Sequence, residues 1–404
     1  MTVPPRIARL AALAGKPARR IVGLMSGTSL DGLDIALCTV HGAGETTRPE
    51  LERFVTRPYG AAERERLRRI VSREQVSLAE VCILNAWLAE THARHVLDAL
   101  SEWGVAPETV DALASHGQTV FHAPGAWRME SDAPERARHA TLQLGDGDAL
   151  AVRTGLLTVS DFRQKEIAGG GQGAPLAPYA EALLYRGAEP RVLLNLGGIA
   201  NFTWLPPRGS AAGPRFGDTG PANTLIDGAA RRARPDGPGY DPNGAGAAAG
   251  KVHAKLLARL KAHPYFAQPC PKSTGPEIFG EEYVGRALEG LGGRLPGPAD
   301  LLATLTRLTA ETVADTLRRE VPQLSAATVY VSGGGQHNRT LMGWLAECLP
   351  GVTLRASLEL GLPPDAKEAV LFAVLANELL AGAGFLAADG SGRRLAFGKV
   401  SFPD

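Results

Sequence analysis

Apolar runs interrupted by glycine-rich turns set the pattern of this chain. Residues 21–40, IVGLMSGTSLDGLDIALCTV, are an apolar run, a turn of Gly, Ser, Thr and Asp, and a second apolar run. That pattern predicts two strands joined by a turn. Ala61 to Ser72 (AAERERLRRIVS) reads as a charged surface helix. From Leu78 to Trp103, apolar positions such as Val81, Leu84, Trp87, Leu88, His92, Val96 and Leu100 recur at helical spacing. They predict a long amphipathic helix ending at Gly104. Short apolar runs at 110–115, 141–144 and 156–160 read as strands. Each empties into polar residues: His116-Gly117-Gln118-Thr119, Gly145-Asp146 and Asp161-Phe162-Arg163.

The opening pattern returns at residues 191–205, RVLLNLGGIANFTWL, again apolar run, glycine turn, apolar run. Helical stretches follow to about Arg318, then a strand at 328–332 (TVYVS) running into GGGQHN, and an apolar helix at 366–380. Two halves that each open on a strand–glycine turn–strand element form a weak internal repeat of pattern rather than identity. The expected division is an N-terminal extension, 1–20, a first domain of 21–188 plus about 376–404, and a second domain of 189–375. Polar side chains placed just after strand ends point to an α/β fold, in which ligands sit beyond the carboxyl ends of strands.

Composition narrows the class. A 404-residue chain is long for one core, so two domains are expected. Its net charge of +1 gives no electrostatic footprint for nucleic acid. No apolar run is long enough for a membrane span. The residues before Ile21 lack the apolar stretch and cleavage site of a signal peptide. Cys38, Cys82, Cys270 and Cys348 are scattered, with no C-x-x-C pair, so neither a disulfide framework nor a zinc site is expected and a reducing cytoplasm fits. The 48 glycines cluster in turns after apolar runs, which suggests close backbone approach to a ligand.

The opening turn, Gly27, Thr28, Ser29, Leu30, Asp31 and Gly32, offers backbone N–H groups and hydroxyls suited to phosphate oxygens. Asp31 and Asp34 would repel a bare phosphate, but Mg²⁺ is held through one or two carboxylates plus phosphates, so an aspartate there fits a metal–nucleotide pair. A ligand-free DG turn is the competing account. The second turn, Asn195 with Gly197 and Gly198, repeats the logic. Gly217-Asp218-Thr219-Gly220 adds a further carboxylate, Asp218, for metal or water. Gly333 and Gly334 could let the chain pass flat against an adenine or ribose. Asp161, just after a strand, is placed to act as a general base in phosphoryl transfer, with an N-cap or an ion pair to Arg163 as its alternative uses. His116, Gln118, Arg163 and Glu368 are candidate sugar contacts.

Taken in order, GLMSGTSLDGLD (23–34), SHGQT (115–119), QLGDGDAL (143–150), DFR (161–163), GGQGAPLAP (170–178), NLGGIAN (195–201), GDTGPAN (217–223), SGGGQHN (332–338) and LPPDAKEA (362–369) closely resemble the anhydro-N-acetylmuramic acid kinases of bacterial cell-wall recycling. The resemblance implies a two-domain actin-like ATPase fold of the sugar-kinase type with an interdomain cleft, and the substrates ATP and an anhydro amino sugar. It implies that water opens the 1,6-anhydro bridge while ATP phosphorylates O6, with Asp161 as the general base and residues 27–34 on the phosphates. Mg²⁺ is the expected metal, at Asp31 and Asp218, and a homodimer is compatible. An ordinary sugar kinase without ring opening, and a non-catalytic sugar- or nucleotide-binding regulator, are the rival readings.

Overall fold

The computed structural model describes residues 3–127, 138–210, 212–292, 295–387 and 391–404. The chain separates into two compact units, Met1–Leu184 with Asp365–Asp404, and Tyr185–Pro364. The first unit opens with α1 (Pro5–Gly15), β1 (Ala18–Ser26), β2 (Gly32–His41), β3 (Arg48–Pro58), α2 (Ala61–Arg68) and α3 (Leu78–Glu102). It continues with β4 (Ala112–Trp127), β5 (Arg138–Leu144), α4 (Gly147–Thr154), β6 (Thr158–Ser160), α5 (Phe162–Ala168) and α6 (Ala177–Tyr185). The second unit holds β7 (Arg191–Leu196), β8 (Ile199–Leu205), β9 (Arg215–Pro221), α7 (Asn223–Ala233), α8 (Ala245–Ala249), α9 (Ala254–Lys261), α10 (Glu281–Glu289), α11 (Pro298–Glu320), β10 (Thr328–Ser332), α12 (Arg339–Cys348) and β11 (Thr353–Ala356). The chain then returns to the first unit as α13 (Lys367–Ala381), the ribbon β12 (Phe385–Leu386) and β13 (Arg394–Leu395), and β14 (Lys399–Ser401).

The two main sheets share one plan. In the first, β1, β2 and β3 form an antiparallel meander, and β4 and β6 extend it in parallel on the other side of β1. In the second, β7, β8 and β9 are the meander, and β10 and β11 are the parallel extension. The pattern echo between residues 21–40 and 191–205 is therefore a repeat of topology. Two additions distinguish the first sheet: β5 pairs with β4, and β14 closes the edge beyond β6.

Burial follows the periodicities. On α3, Leu84, Leu88, Val96 and Leu100 pack into a core with Val22, Leu24, Ile35 and Leu37. Each such side chain contributes about 1.5–3 kcal/mol by leaving water. The helix starts at Ser77, whose hydroxyl accepts from the Glu80 N–H, and stops before Gly104 at φ +66°. Every residue of α13 from Ala369 to Glu378 is buried. It lies against β1 so closely that a Cβ on Gly23 would overlap the Ala369 carbonyl. That contact explains why the unit boundary falls at 364/365 and not at the expected 375/376: the whole helix belongs to the first unit. The other boundary, expected at 188/189, falls at 184/185. The expected N-terminal extension is, from Pro5 onward, built into the first unit as α1 and the start of β1. Arg19, in β1, is buried and donates to Asn377 Oδ1 (2.5 Å) and to the carbonyls of Lys16 and Gly42 (each 2.5 Å), which ties α1 to α13. No helix among the described residues is long and apolar enough to cross a membrane.

Candidate functional site

The end of β6 places the central carboxylate. Asp161 follows Ser160 with φ 55° and ψ 41°, in the left-handed region that Asp tolerates better than most residues. It occupies the N-cap position of α5, yet its side chain caps nothing. Its Oδ2 instead accepts from Lys399 Nζ at 2.7 Å. Strand pairing makes that contact, because β14 lies antiparallel to β6 with Lys399 opposite Ser160. The alternative pairing of Asp161 with Arg163 is not the one formed.

Arg163 is engaged elsewhere. Its Nε donates to His116 Nε2 (3.0 Å) and its Nη1 to the Gly173 carbonyl (2.7 Å). An imidazole nitrogen that accepts from a guanidinium carries no proton, so His116 is neutral with its hydrogen on Nδ1. Burial, then the neighbouring Arg163 charge, lowers His116 to about 3. Its ring packs on Phe372 of α13 at 4.7 Å. Among the described residues, its Nδ1 has no hydrogen-bond partner. Burial likewise lowers Arg163 to about 10, against the attraction of Glu368 and Glu166. Glu368, in the first turn of α13, reaches solvent from crowded surroundings. The crowding raises its carboxyl by loss of hydration, Asp34 and Glu181 add to that, and Lys367 and Arg163 oppose it. His116 and Glu368 are thus linked through Arg163, and Asp161 stands two residues before it at the head of α5, held by Lys399.

The loop 169–176 is held by a residue that sequence reasoning missed. Buried Glu166 accepts from the Gly173 N–H (2.5 Å) through Oε2 and from the Tyr179 hydroxyl (3.2 Å) through Oε1. No motif signalled it. Lys399 was missed for the same reason, since its contact spans 238 residues.

The turn between β1 and β2 is a five-residue loop, 27–31, with Leu30 at φ 59°. It is not a two-residue DG hairpin. Thr28, Ser29 and Asp31 are exposed. A Cβ on Gly27 would meet only the Ser29 hydroxyl, at 3.5 Å, so the backbone there stands open to a ligand. Gln118 does not offer itself to a sugar. It is fully buried, accepts from Ser26 Oγ (2.6 Å), and donates to the carbonyls of Gly27 (3.2 Å) and Thr119 (3.1 Å). Its amide is used up in holding the turn.

In the second unit, Gly197 and Gly198 form the two-residue link between β7 and β8. Their carbonyls accept from the N–H groups of Asn223 (3.0 Å) and of Ala222 and Thr224 (2.9 and 3.1 Å), joining the hairpin to the start of α7. Gly333, at φ +81°, is pressed against Asn195 and Leu196, where a Cβ would clash. Asn195, Gly197, Gly198, Gly333 and Gly334 therefore gather at one end of this sheet, because β7 and β10 run parallel with Asn195 beside Ser332. Asp218 lies on β9, with Oδ2 accepting from the Thr274 N–H (2.8 Å). Burial raises it to about 6, although that hydrogen bond and Lys272 pull it down. Among the described residues, no three His, Cys, Asp or Glu gather into a metal cage. Mg²⁺ needs none, since it keeps waters and takes one or two carboxylates with phosphate oxygens. Exposed Asp31 and half-buried Asp218 each fit that limited role.

Two α/β units built on one meander-plus-parallel plan, with glycine turns at their strand ends and an aspartate paired with Lys399 at the end of β6, define a duplicated α/β fold of the actin-like class. A family model described as anhydro-N-acetylmuramic acid kinase matches residues 19–398. Relatives of that name are 44% identical in Pseudoalteromonas atlantica over 97% of both chains, 42% in Salinibacter ruber over 98% of this chain and 99% of the relative, and 35% in Clostridioides difficile over 94% and 97%. The chain belongs to the anhydro-N-acetylmuramic acid kinase family. It is a kinase that uses ATP, with a sugar as acceptor.

Proposed function

We propose that this kinase opens 1,6-anhydro-N-acetylmuramic acid with water and phosphorylates the released O6, giving N-acetylmuramate 6-phosphate and ADP. The observation that carries the reading is Asp161, a carboxylate held at a strand end by Lys399 and left free of capping duty. It accepts a proton from the water that attacks the anomeric carbon. The bond from that carbon to the bridging oxygen breaks, and the electron pair left on O6 attacks the γ-phosphorus of ATP as ADP departs. The proton on Asp161 then passes to solvent.

The other residues position. Arg163, locked by His116 and Gly173, presents a fixed cation with Glu368 among its charged neighbours, and Glu368 supplies an acceptor for sugar hydroxyls. The open backbone at Gly27 and the hydroxyls of Thr28 and Ser29 suit phosphate oxygens. In the second unit, the turns at 197–198 and 333–334 suit the rest of the nucleotide. Asp31 or Asp218 is the carboxylate that would hold Mg²⁺, which when bound offsets the phosphate charge. The described cysteines are all free thiols, in keeping with work in a reducing cytoplasm.

The test is ADP release by purified protein with Mg-ATP, with and without the anhydro sugar, run briefly in ¹⁸O-labelled water. Sugar-dependent ADP and a product heavier by one phosphate and one labelled water support the reading. A product heavier by phosphate alone moves the function to an ordinary sugar kinase, and sugar binding without turnover moves it to a regulator.

A further inference from the structure

A chain of buried hydrogen bonds ends on the opening turn, and its direction can be worked out from donors and acceptors. Gln118 Nε2 faces two carbonyls, of Gly27 and Thr119, and its Oε1 faces the Ser26 hydroxyl. The flipped amide would set oxygen against both carbonyls, so the orientation is fixed. Gln118 Oε1 is an acceptor only, so Ser26 Oγ donates to it at 2.6 Å. Ser26 has one hydroxyl hydrogen, so its contact with Tyr59 Oη at 2.8 Å must be donated by Tyr59. Tyr59 has then spent its own hydrogen, so it accepts from His92 Nε2 at 2.7 Å. The chain runs one way: His92 Nε2–H to Tyr59, Tyr59 to Ser26, Ser26 to Gln118, and Gln118 Nε2–H to the Gly27 carbonyl.

Every member is buried, with His92 and Gln118 at 0% exposure, so none can exchange its partner for water. The neutral state of His92 follows from burial, which lowers the imidazole to about 3. The far end matters most. In a trans peptide the carbonyl of one residue and the N–H of the next point in opposite directions. The Gly27 carbonyl is drawn inward by Gln118 and also accepts from the Leu30 N–H at 3.2 Å. The Thr28 N–H is therefore aimed outward, on the side where Thr28 and Ser29 are exposed.

We propose that His92, Tyr59 and Ser26 are positioning residues that act through Gln118 to aim the Thr28 N–H at the phosphates of bound ATP. The proposal rests on the kinase reading of the turn. None of the three touches substrate. Their effect is orientation, so their loss should weaken the nucleotide side of the reaction and spare the sugar side.

The test uses the full chain and Tyr59→Phe, which removes one oxygen, with His92→Leu and His92→Gln as a second pair. KM for Mg-ATP and for the anhydro sugar are measured separately, with thermal melts. Tyr59→Phe and His92→Leu should raise KM for ATP about five-fold, the scale of one net hydrogen bond. KM for the sugar should stay within about two-fold of wild type. His92→Gln, which keeps an N–H donor, should recover most of the loss. An unchanged KM for ATP, or both KM values rising together with a fall in melting temperature, overturns the proposal. If wild type itself shows no sugar-dependent ADP release, the kinase reading fails first. Amide exchange at Thr28–Asp31 then still decides whether Tyr59 orders the turn, and equal exchange in Tyr59→Phe and wild type overturns it.

Discussion

Asp161→Asn separates the chemistry of the base from the stability of the fold. Asn keeps the shape of Asp and adopts the left-handed backbone at φ 55° as readily, whereas Ala there would add strain of about 1 kcal/mol or more. Two things are lost: a charge able to take a proton, and the pair with Lys399. The side chains of that pair are 36% and 63% exposed. Exposed pairs contribute about 0–1 kcal/mol, so the melting temperature should move by no more than about 4 °C. A general base contributes about 10²–10⁴ in rate, or about 3–5 kcal/mol of barrier. The expected result is a kcat at least about 100-fold lower, with KM for ATP and the melting curve near wild type. The assay is sugar-dependent ADP release, read beside ATP binding by calorimetry and a melt of the same sample. A kcat within about three-fold of wild type would refute the base assignment. So would a rate loss that only tracks a large fall in melting temperature.

Three further outcomes follow from the site's surroundings. His92 and His116 are held neutral to about pH 3 by burial, whereas in the unfolded chain they protonate near 6.5. Below 6.5 the unfolded state binds the extra protons, so stability falls with pH, by about 2 kcal/mol for each imidazole at pH 5. A urea midpoint that stays flat from pH 7 to 5 contradicts this, and His92→Gln should remove its share of the slope. Burial raises Asp218 to about 6, so its charge is a cost at neutral pH. Asp218→Asn keeps an acceptor for the Thr274 N–H and should melt a few degrees higher at pH 7.5, while raising KM for Mg-ATP. A lower melting temperature would count against that account. Gly23→Ala drives a methyl into the Ala369 carbonyl and should cost about 1–3 kcal/mol in a denaturant melt, and an unchanged midpoint would show that α13 does not press on β1 as described.

Local pattern carried much of this fold. The spacing of Leu84, Leu88, Val96 and Leu100 predicted α3 to within a residue or two at each end, because the helix is both amphipathic and properly stopped. The run TVYVS predicted β10, and the two glycine turns predicted both hairpins. Asp161 was visible because a polar group at a strand end has few structural uses, whereas His116 and Gln118, expected just past a strand ending at 115, lie within β4, which runs on to Trp127. What escaped depended on contacts between distant positions. Lys399 meets Asp161 only because β14 pairs with β6, and nothing around Lys399 announces a strand partner. Gln118 looked like a ligand contact because its motif does not reveal that Ser26 and Gly27 lie beside it. The α13 boundary was misplaced for a similar reason: a uniformly apolar helix shows that it is buried, not against which sheet.

The geometry of α5 explains how one short segment serves several parts of the site. A seven-residue helix has too few internal bonds to fix its own direction. Its orientation must come from what its side chains hold. Arg163 donates to His116, rooted in β4, and to the Gly173 carbonyl, while Glu166 takes the Gly173 N–H. Both polar groups of Gly173 are thus bound by one helix, which fixes the loop to the helix and the helix to the sheet. Asp161, at the head of that helix, inherits its place from these bonds and from Lys399 at the sheet edge. The left-handed backbone at Asp161 persists because the contacts on either side of it over-determine its position. Position, in this reading, is what α5 and β14 contribute to catalysis, and the carboxylate contributes the proton transfer.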